Sequence, residues 1–216
     1  MKRNKKIILI FTLTIFVFCF GSVKCHAATL YGVYPDKSSS YRGSSQTIRP
    51  LGYHATGNGV KGTYPRRKGV ILVTNNGSIG KVLGHAGIVY SSSTIIESLS
   101  KGVCVGKNNW STTKTRVAAV TPRSTLTWQD SMVADYCYSK VGKPYNWNYY
   151  NMSNRSSFYC SHLIWAGYKD LYKLDLNTSA YDGGKSAIGP FEFVRKSGIK
   201  VFPIYMKNWV KDDVTV

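Results

Sequence analysis

The sequence predicts an α+β fold: a small antiparallel sheet packed against helices, one of which begins with a cysteine. Three observations carry this. Short runs of β-branched and apolar residues, broken by turn formers, crowd residues 69 to 120. Two later stretches, Ser124–Val141 and the one that starts at Cys160, repeat their apolar residues at helical spacing. Strands gathered beside helices in this way make an α+β domain.

The first 27 residues read as an export signal. Met1 to Lys6 is basic, Ile7 to Phe20 is apolar but short for a bilayer span, and small residues mark a cleavage point after Ala27. Cys25 lacks the small residues of a lipidation site before it. The expected product, residues 28–216, is a secreted or cell-wall-associated protein with no stable membrane span and room for one core. The chain carries a formal charge of +19, of which five positive charges leave with the signal. A basic exported chain is expected beside anionic cell-wall polymers or anionic lipid, and general wall retention explains the charge as well as a specific electrostatic role does. No nucleic-acid-binding motif is present, so nucleic acid is not an expected partner.

Residues 28–63, rich in Ser, Gly, Tyr and Thr, read as an irregular N-terminal arm before a domain of residues 64–216. Val70–Thr74 is a strand closed by the Asn75-Asn76-Gly77 turn. Gly84–Tyr90 and Thr94–Ser98, on either side of Ser91-Ser92-Ser93, form a hairpin. Val103-Cys104-Val105 is a short edge strand, and Val117–Val120 another that ends at Pro122. The helix over 124–141 buries Trp128, Met132, Val133, Tyr136, Cys137 and Val141, with Ser124 or Thr127 as its cap and Gly142-Lys143-Pro144 as its stop. In the helix from Cys160, Leu163, Ile164, Gly167, Tyr168 and Leu171 form one buried face. Asn177–Gly189 is a loop with a turn at Asp182-Gly183-Gly184, and Phe191–Val194 and Ile199–Phe202 are a closing pair of strands.

Removal of the signal leaves Cys104, Cys137 and Cys160, an odd number. Cys104 and Cys137 fit either a disulfide or two small core residues. No pair has C-x-x-C spacing, so neither a zinc site nor any other metal or cofactor is expected. Cys160 stands apart, because a thiol at a helix N-terminus feels the positive end of the macrodipole, which favours the thiolate. Such a nucleophile needs a base, and the base needs an orienting group. His162 follows Cys160 by two positions and so leaves the helix in another direction, toward solvent or a neighbouring loop. His54 lies in a Gly-rich loop. His85 opens a strand among the small residues Gly84, Ala86 and Gly87, where another element can approach. With a three-serine turn, Tyr90 pairs with Thr94 and Gly87 with Glu97. Glu97 then shares a sheet face with His85 and lies diagonal to it, whereas a turn of two or four residues reverses this parity. The candidate catalytic residues are therefore Cys160, His85 and Glu97. The Cys160 backbone N–H is a candidate oxyanion donor, joined on sequence proximity by Tyr145 and Tyr159.

These residues resemble the circularly permuted papain-like amidases of the YaeF/YiiX type, within the NlpC-like cysteine peptidase superfamily. The resemblance rests on Tyr64–Val73, Gly84–Val89, Thr94–Ser98, and the run from Gly142 through Tyr159-Cys160-Ser161-His162-Leu163-Ile164-Trp165, and it spans residues 64 to 205. It implies a papain-like core with the sheet on the nucleophile helix. It also implies a cysteine amidase or peptidase, often directed at cell-wall peptides, with a triad of Cys160, His85 and Glu97. Many relatives carry an acidic residue where this chain has His162, and Gly-Asp where it has Gly69-Val70. Lipid-derived acyl groups are an alternative substrate on the same fold, and a non-catalytic wall-binding module is an alternative role.

Overall fold

The computed structural model describes residues 60–76, 84–178, 186–194 and 201–209. The expectations for the export signal, for the arm up to residue 59, for Gly77, and for the segments 182–184 and 199–200 fall outside these residues.

Among the described residues, seven strands form one antiparallel sheet. They are β1 (Val60–Lys61), β2 (Ile71–Thr74), β3 (His85–Val89), β4 (Thr94–Leu99), β5 (Gly102–Lys107), β6 (Val117–Pro122) and β7 (Val201–Lys207), in the spatial order β1-β7-β6-β2-β3-β4-β5. A short helix α1 (Trp110–Thr113) links β5 to β6; α2 (Thr127–Tyr138) and α3 (Cys160–Tyr172) follow. The expected α+β class and the expected β5 edge are both present. β2 sits centrally and is buried on both faces. Ile71 and Val73 join the core shared with α2 and α3, while Leu72 joins a second core with Trp110, Ala119 and Tyr205. Burial on two sides explains why β2 is a continuous apolar run without alternation.

Four expectations change. Phe191–Val194 does not pair as a strand: Pro190–Phe193 is a 3-10 turn. Pro190 has no N–H to give to a ladder, and the Glu192 carboxylate accepts from the Gly189 N–H at 2.9 Å and the Thr178 N–H at 2.7 Å, which holds the turn closed. α2 is shorter than predicted, and neither Ser124 nor Thr127 caps it. Leu126 holds the cap position and donates its N–H to the Gln129 side chain at 2.8 Å. The shorter helix leaves Trp128 in its first turn, 52% exposed, where Tyr172 meets it edge-on. α3 is not buried on one face alone, since every residue from Cys160 to Tyr168 is buried. It packs on β3, β4 and α2 at once. Gly167 lets α2 come close, because a Cβ there would lie 2.8 Å from Val133.

One buried carboxylate ties these layers together. Asp130, at the start of α2, accepts hydrogen bonds from Thr121 (2.6 Å), Thr125 (2.6 Å), Tyr168 of α3 (3.1 Å) and the Arg67 guanidinium (3.3 Å). Gly69, at φ +91°, lies directly on the Asp130 backbone, where a Cβ would be 2.4 Å away. Removing such an acceptor strands several buried donors and a guanidinium together. Asp130→Ala is therefore expected to lower stability by about 3 kcal/mol or more, read as a lower urea midpoint at unchanged slope.

Candidate active site

The β3–β4 hairpin turns on Ser91-Ser92-Ser93. Tyr90 and Ser91 both donate to the Thr94 carbonyl, at 3.0 and 3.1 Å, and the Ser91 hydroxyl accepts from the Ser93 and Thr94 N–H groups. The resulting pairs are Gly87 with Glu97, Ile88 with Ile96, and Val89 with Ile95. This is the register that the three-serine turn demands, and it puts Glu97 on the His85 face. The two side chains meet at 2.7 Å, His85 Nε2 to Glu97 Oε2, and are only 15% and 12% exposed. With Nε2 engaged by the carboxylate, Nδ1 is the nitrogen left for Cys160.

Two residues shape this contact. Gly106 of β5 lies beneath the carboxylate: a Cβ there would sit 2.2 Å from Glu97 Oε1. Trp110 of α1 covers the imidazole, with ring centroids 5.5 Å apart. Ahead of His85, Gly84 takes φ +70° and packs against the Phe191 ring, 2.8 Å from where a Cβ would stand.

The start of α3 is held from several sides. The Ser98 hydroxyl of β4 donates to the Phe158 carbonyl at 2.6 Å, and the Phe158 N–H donates to Pro144 O at 3.1 Å. The Tyr159 hydroxyl accepts from the Ile188 N–H at 3.0 Å, and the Ser161 hydroxyl donates to the Ile188 carbonyl at 2.7 Å. Cys160, the first residue of the helix, is thereby fixed beside the start of β3. As a first-turn residue, its N–H has no intrahelical acceptor.

The electrostatics of the three groups agree. Burial alone would lower the pKa of His85, but hydrogen bonds to Cys160 and Glu97, and their charges, raise it to about 10. Burial alone would raise the pKa of Cys160. The His85 hydrogen bond and charge, with the N–H groups of Ala86 and Ser161, bring it below the ordinary thiol value. Both shifts favour thiolate and imidazolium. Cys137 is the contrast: its sulfur donates to the Leu163 carbonyl in α3, and burial pushes its pKa up. Cys104 pairs with Glu97 across the β4–β5 ladder, and no disulfide joins Cys104, Cys137 or Cys160.

Of the two directions expected for His162, it takes the neighbouring loop and not solvent. It is fully buried among Phe158, Tyr159 and Trp165, and its Nε2 donates to the Met152 carbonyl of the preceding loop at 3.0 Å. Burial lowers its pKa to about 4, so the ring is neutral near pH 7. Tyr145 is half-buried; burial first, then the neighbouring Cys160 charge, raise its pKa, so it keeps its proton. Among the described residues, no three His, Cys, Asp or Glu side chains cluster as metal ligands. No described helix is long and apolar enough to cross a membrane.

Sequence reasoning reached Cys160, His85 and Glu97 but missed Gly106, Trp110 and Ser98. Gly106 had a signal, since a lone glycine inside a strand often marks a close approach.

Comparison with known proteins adds a family to this geometry. No curated protein matches the chain. The crystal structure of metalloprotein yiiX from Escherichia coli O157:H7 aligns with 17% identity and a TM-score of 0.42, over 55% of this chain and 75% of that one. The family model described as permuted papain-like amidase enzyme, YaeF/YiiX, C92 family, matches residues 71–182, a span of just over half the chain that takes in His85, Glu97 and Cys160. The chain belongs to this family of permuted papain-like amidases.

Proposed function

We propose that this protein is an exported cysteine amidase that cleaves an amide bond in cell-wall peptides. The observation that carries the reading is the 2.7 Å bond between His85 and Glu97 on an imidazole that also engages Cys160. It supplies nucleophile, base and orienting group in one chain of contacts. The family supports amide chemistry. The basic charge and the export-like first 27 residues support a wall substrate.

In this mechanism the Cys160 thiolate attacks the amide carbonyl carbon, and the carbonyl π pair moves onto oxygen. The Cys160 N–H receives that oxyanion, and the protonated Tyr145 hydroxyl is the candidate second donor. The C–N bond then breaks as His85 gives its proton to the leaving nitrogen, which leaves a thioester on Cys160. Neutral His85 next takes a proton from water, and the hydroxide adds to the thioester. Collapse expels the thiolate, frees the acid and restores the Cys160–His85 ion pair. Glu97 holds the imidazole in the tautomer and orientation both steps need.

Cys160→Ala and His85→Ala are expected to abolish release of new amine termini from digested peptidoglycan, read by mass spectrometry, with the folded spectrum retained. Full turnover by Cys160→Ala would refute the reading. In the native protein, iodoacetamide should label Cys160 in preference to Cys137.

The rate against pH is expected to be bell-shaped. On the acid side, activity falls as Cys160 takes up a proton, with a midpoint below the ordinary thiol value of 9.0. On the alkaline side it falls near pH 10, as His85 loses the proton that the leaving group needs.

Gly106→Ala puts a methyl group where Glu97 Oε1 lies and should turn the carboxylate away from His85. A misplacement of this size is expected to cost roughly 100-fold in turnover. The alkaline limb should move downward at the same time, because the Glu97 hydrogen bond and charge are among the causes that raise the His85 pKa. A lost thermal transition with an unmoved pH profile would make Gly106 merely structural.

A further inference from the structure

Residues 145–151, Tyr-Asn-Trp-Asn-Tyr-Tyr-Asn, contain four aromatic and three amide side chains and no charge, in a chain of net charge +19. The segment is anchored beside the nucleophile. Lys143 O accepts from the Val103 N–H at 2.8 Å, and Pro144 O accepts from the Phe158 N–H at 3.1 Å. The Tyr149 ring stands 5.2 Å from Tyr159, the residue before Cys160. Tyr145 stacks obliquely on Trp147 at 4.6 Å and meets Tyr149 edge-on at 6.4 Å. Burial and the Cys160 charge both raise the pKa of Tyr145, in keeping with a position next to the sulfur.

The segment is also stiffened from within. The buried Asn146 side chain donates to the Asn151 carbonyl at 3.2 Å and accepts from the Asn148 N–H at 3.0 Å. On this fixed frame Trp147 is 62% exposed and Tyr150 68% exposed. Two large rings held largely in water add little to folding, and rigid aromatics placed this way are suited to contact a ligand at low entropic cost.

The chemistry of the lining selects the ligand. A pyranose ring offers an apolar C–H face to an aromatic ring and hydroxyls at its rim to amides and phenols. Residues 145–151 provide those two kinds of group and no others. An acyl chain would call for aliphatic lining, and none of the seven residues is Leu, Ile, Val or Met. An anionic ligand would call for Lys or Arg, and none is present in the segment.

We propose that residues 145–151 form a glycan subsite beside Cys160, in which Trp147 and Tyr150 stack against a hexopyranose ring, so that the substrate is a sugar-linked peptide rather than a free one. This rests on the amidase reading above for the position of the scissile bond, but the sugar contact itself does not.

The two are separated by measuring binding without turnover. Full-length Cys160→Ala protein is titrated with oligomers of N-acetylglucosamine and followed by tryptophan fluorescence and calorimetry. Saturable binding is expected, weakened about tenfold or more by adding Trp147→Ala or Tyr150→Ala. It should be unchanged by Trp128→Ala, which removes the exposed tryptophan of α2. The wild-type protein should cleave a sugar-linked peptide faster than the same peptide without the sugar. Absence of binding at millimolar sugar, or binding indifferent to Trp147, overturns the subsite. So does a Trp147-dependent association with phosphatidylcholine vesicles in place of sugar. If no sugar binds while free peptide is cleaved, the subsite fails and the amidase stands. If sugar binds through Trp147 and neither peptide is cleaved, the subsite stands and the amidase fails.

Discussion

The contact between His85 and Glu97 is the constraint on which the rest of the site depends. It joins adjacent strands at 2.7 Å, so it exists in one register of the β3–β4 hairpin. Strand side chains alternate with period two, and a slip by one residue would turn Glu97 toward the helices and bring Ile96 to the imidazole. The Ser91 hydroxyl, which accepts two turn N–H groups, therefore does more than close a loop. It protects a catalytic-type geometry some distance from the turn. Gly106 and Trp110 complete the same arrangement from the neighbouring strand and helix. One leaves space for the carboxylate, and the other keeps water from the ring.

An ion pair in so enclosed a place carries a large desolvation cost, which must be offset locally. Cys160 and Cys137 show what decides the outcome. Both are buried cysteines of the same core region, yet one pKa falls and the other rises. The Cys137 sulfur faces a carbonyl, an acceptor that has no use for an anion. The Cys160 sulfur faces an imidazolium and two backbone N–H groups, all donors. Helix position alone does not account for the difference. Donors at the start of β3 and the first turn of α3 do, and they reach the sulfur because the Ser98, Tyr159 and Ser161 hydroxyls fix the start of the helix.

Much of this was legible in the chain because it is local. The hairpin parity follows from counting three serines between two strand-like runs, and Glu97 follows from the parity. Cys160 at a helix start follows from the apolar residues that recur at helical spacing after it. What escaped depends on distant partners. Phe191–Val194 alternates like a strand, but Pro190 and the reach of Glu192 back to Gly189 and Thr178 make it a turn. The spacing that takes His162 away from Cys160 says nothing of the Met152 carbonyl and the aromatic rings that bury it. Trp128 fits a helical stripe, yet it falls in a first turn that lies 52% open to solvent, because α2 begins later than the stripe suggests.

The fate of His162 bears on the division of labour between the two described histidines. A ring with a pKa near 4 is neutral at pH 7 and has little proton affinity to offer a thiol. His85, raised to about 10, holds its proton and can stabilise a thiolate in the resting state. The two rings are close in chemistry and opposite in surroundings: carbonyl, aromatic faces and a nearby guanidinium for one, carboxylate and sulfur for the other. Arg155 completes the contrast. Its bidentate bond to Asp170, at 2.7 and 2.8 Å, holds the guanidinium beside His162, where a second positive charge is disfavoured. His162 thus serves to pin the loop that leads into α3, and in the proposed mechanism the proton chemistry falls to His85, 77 residues earlier in the chain.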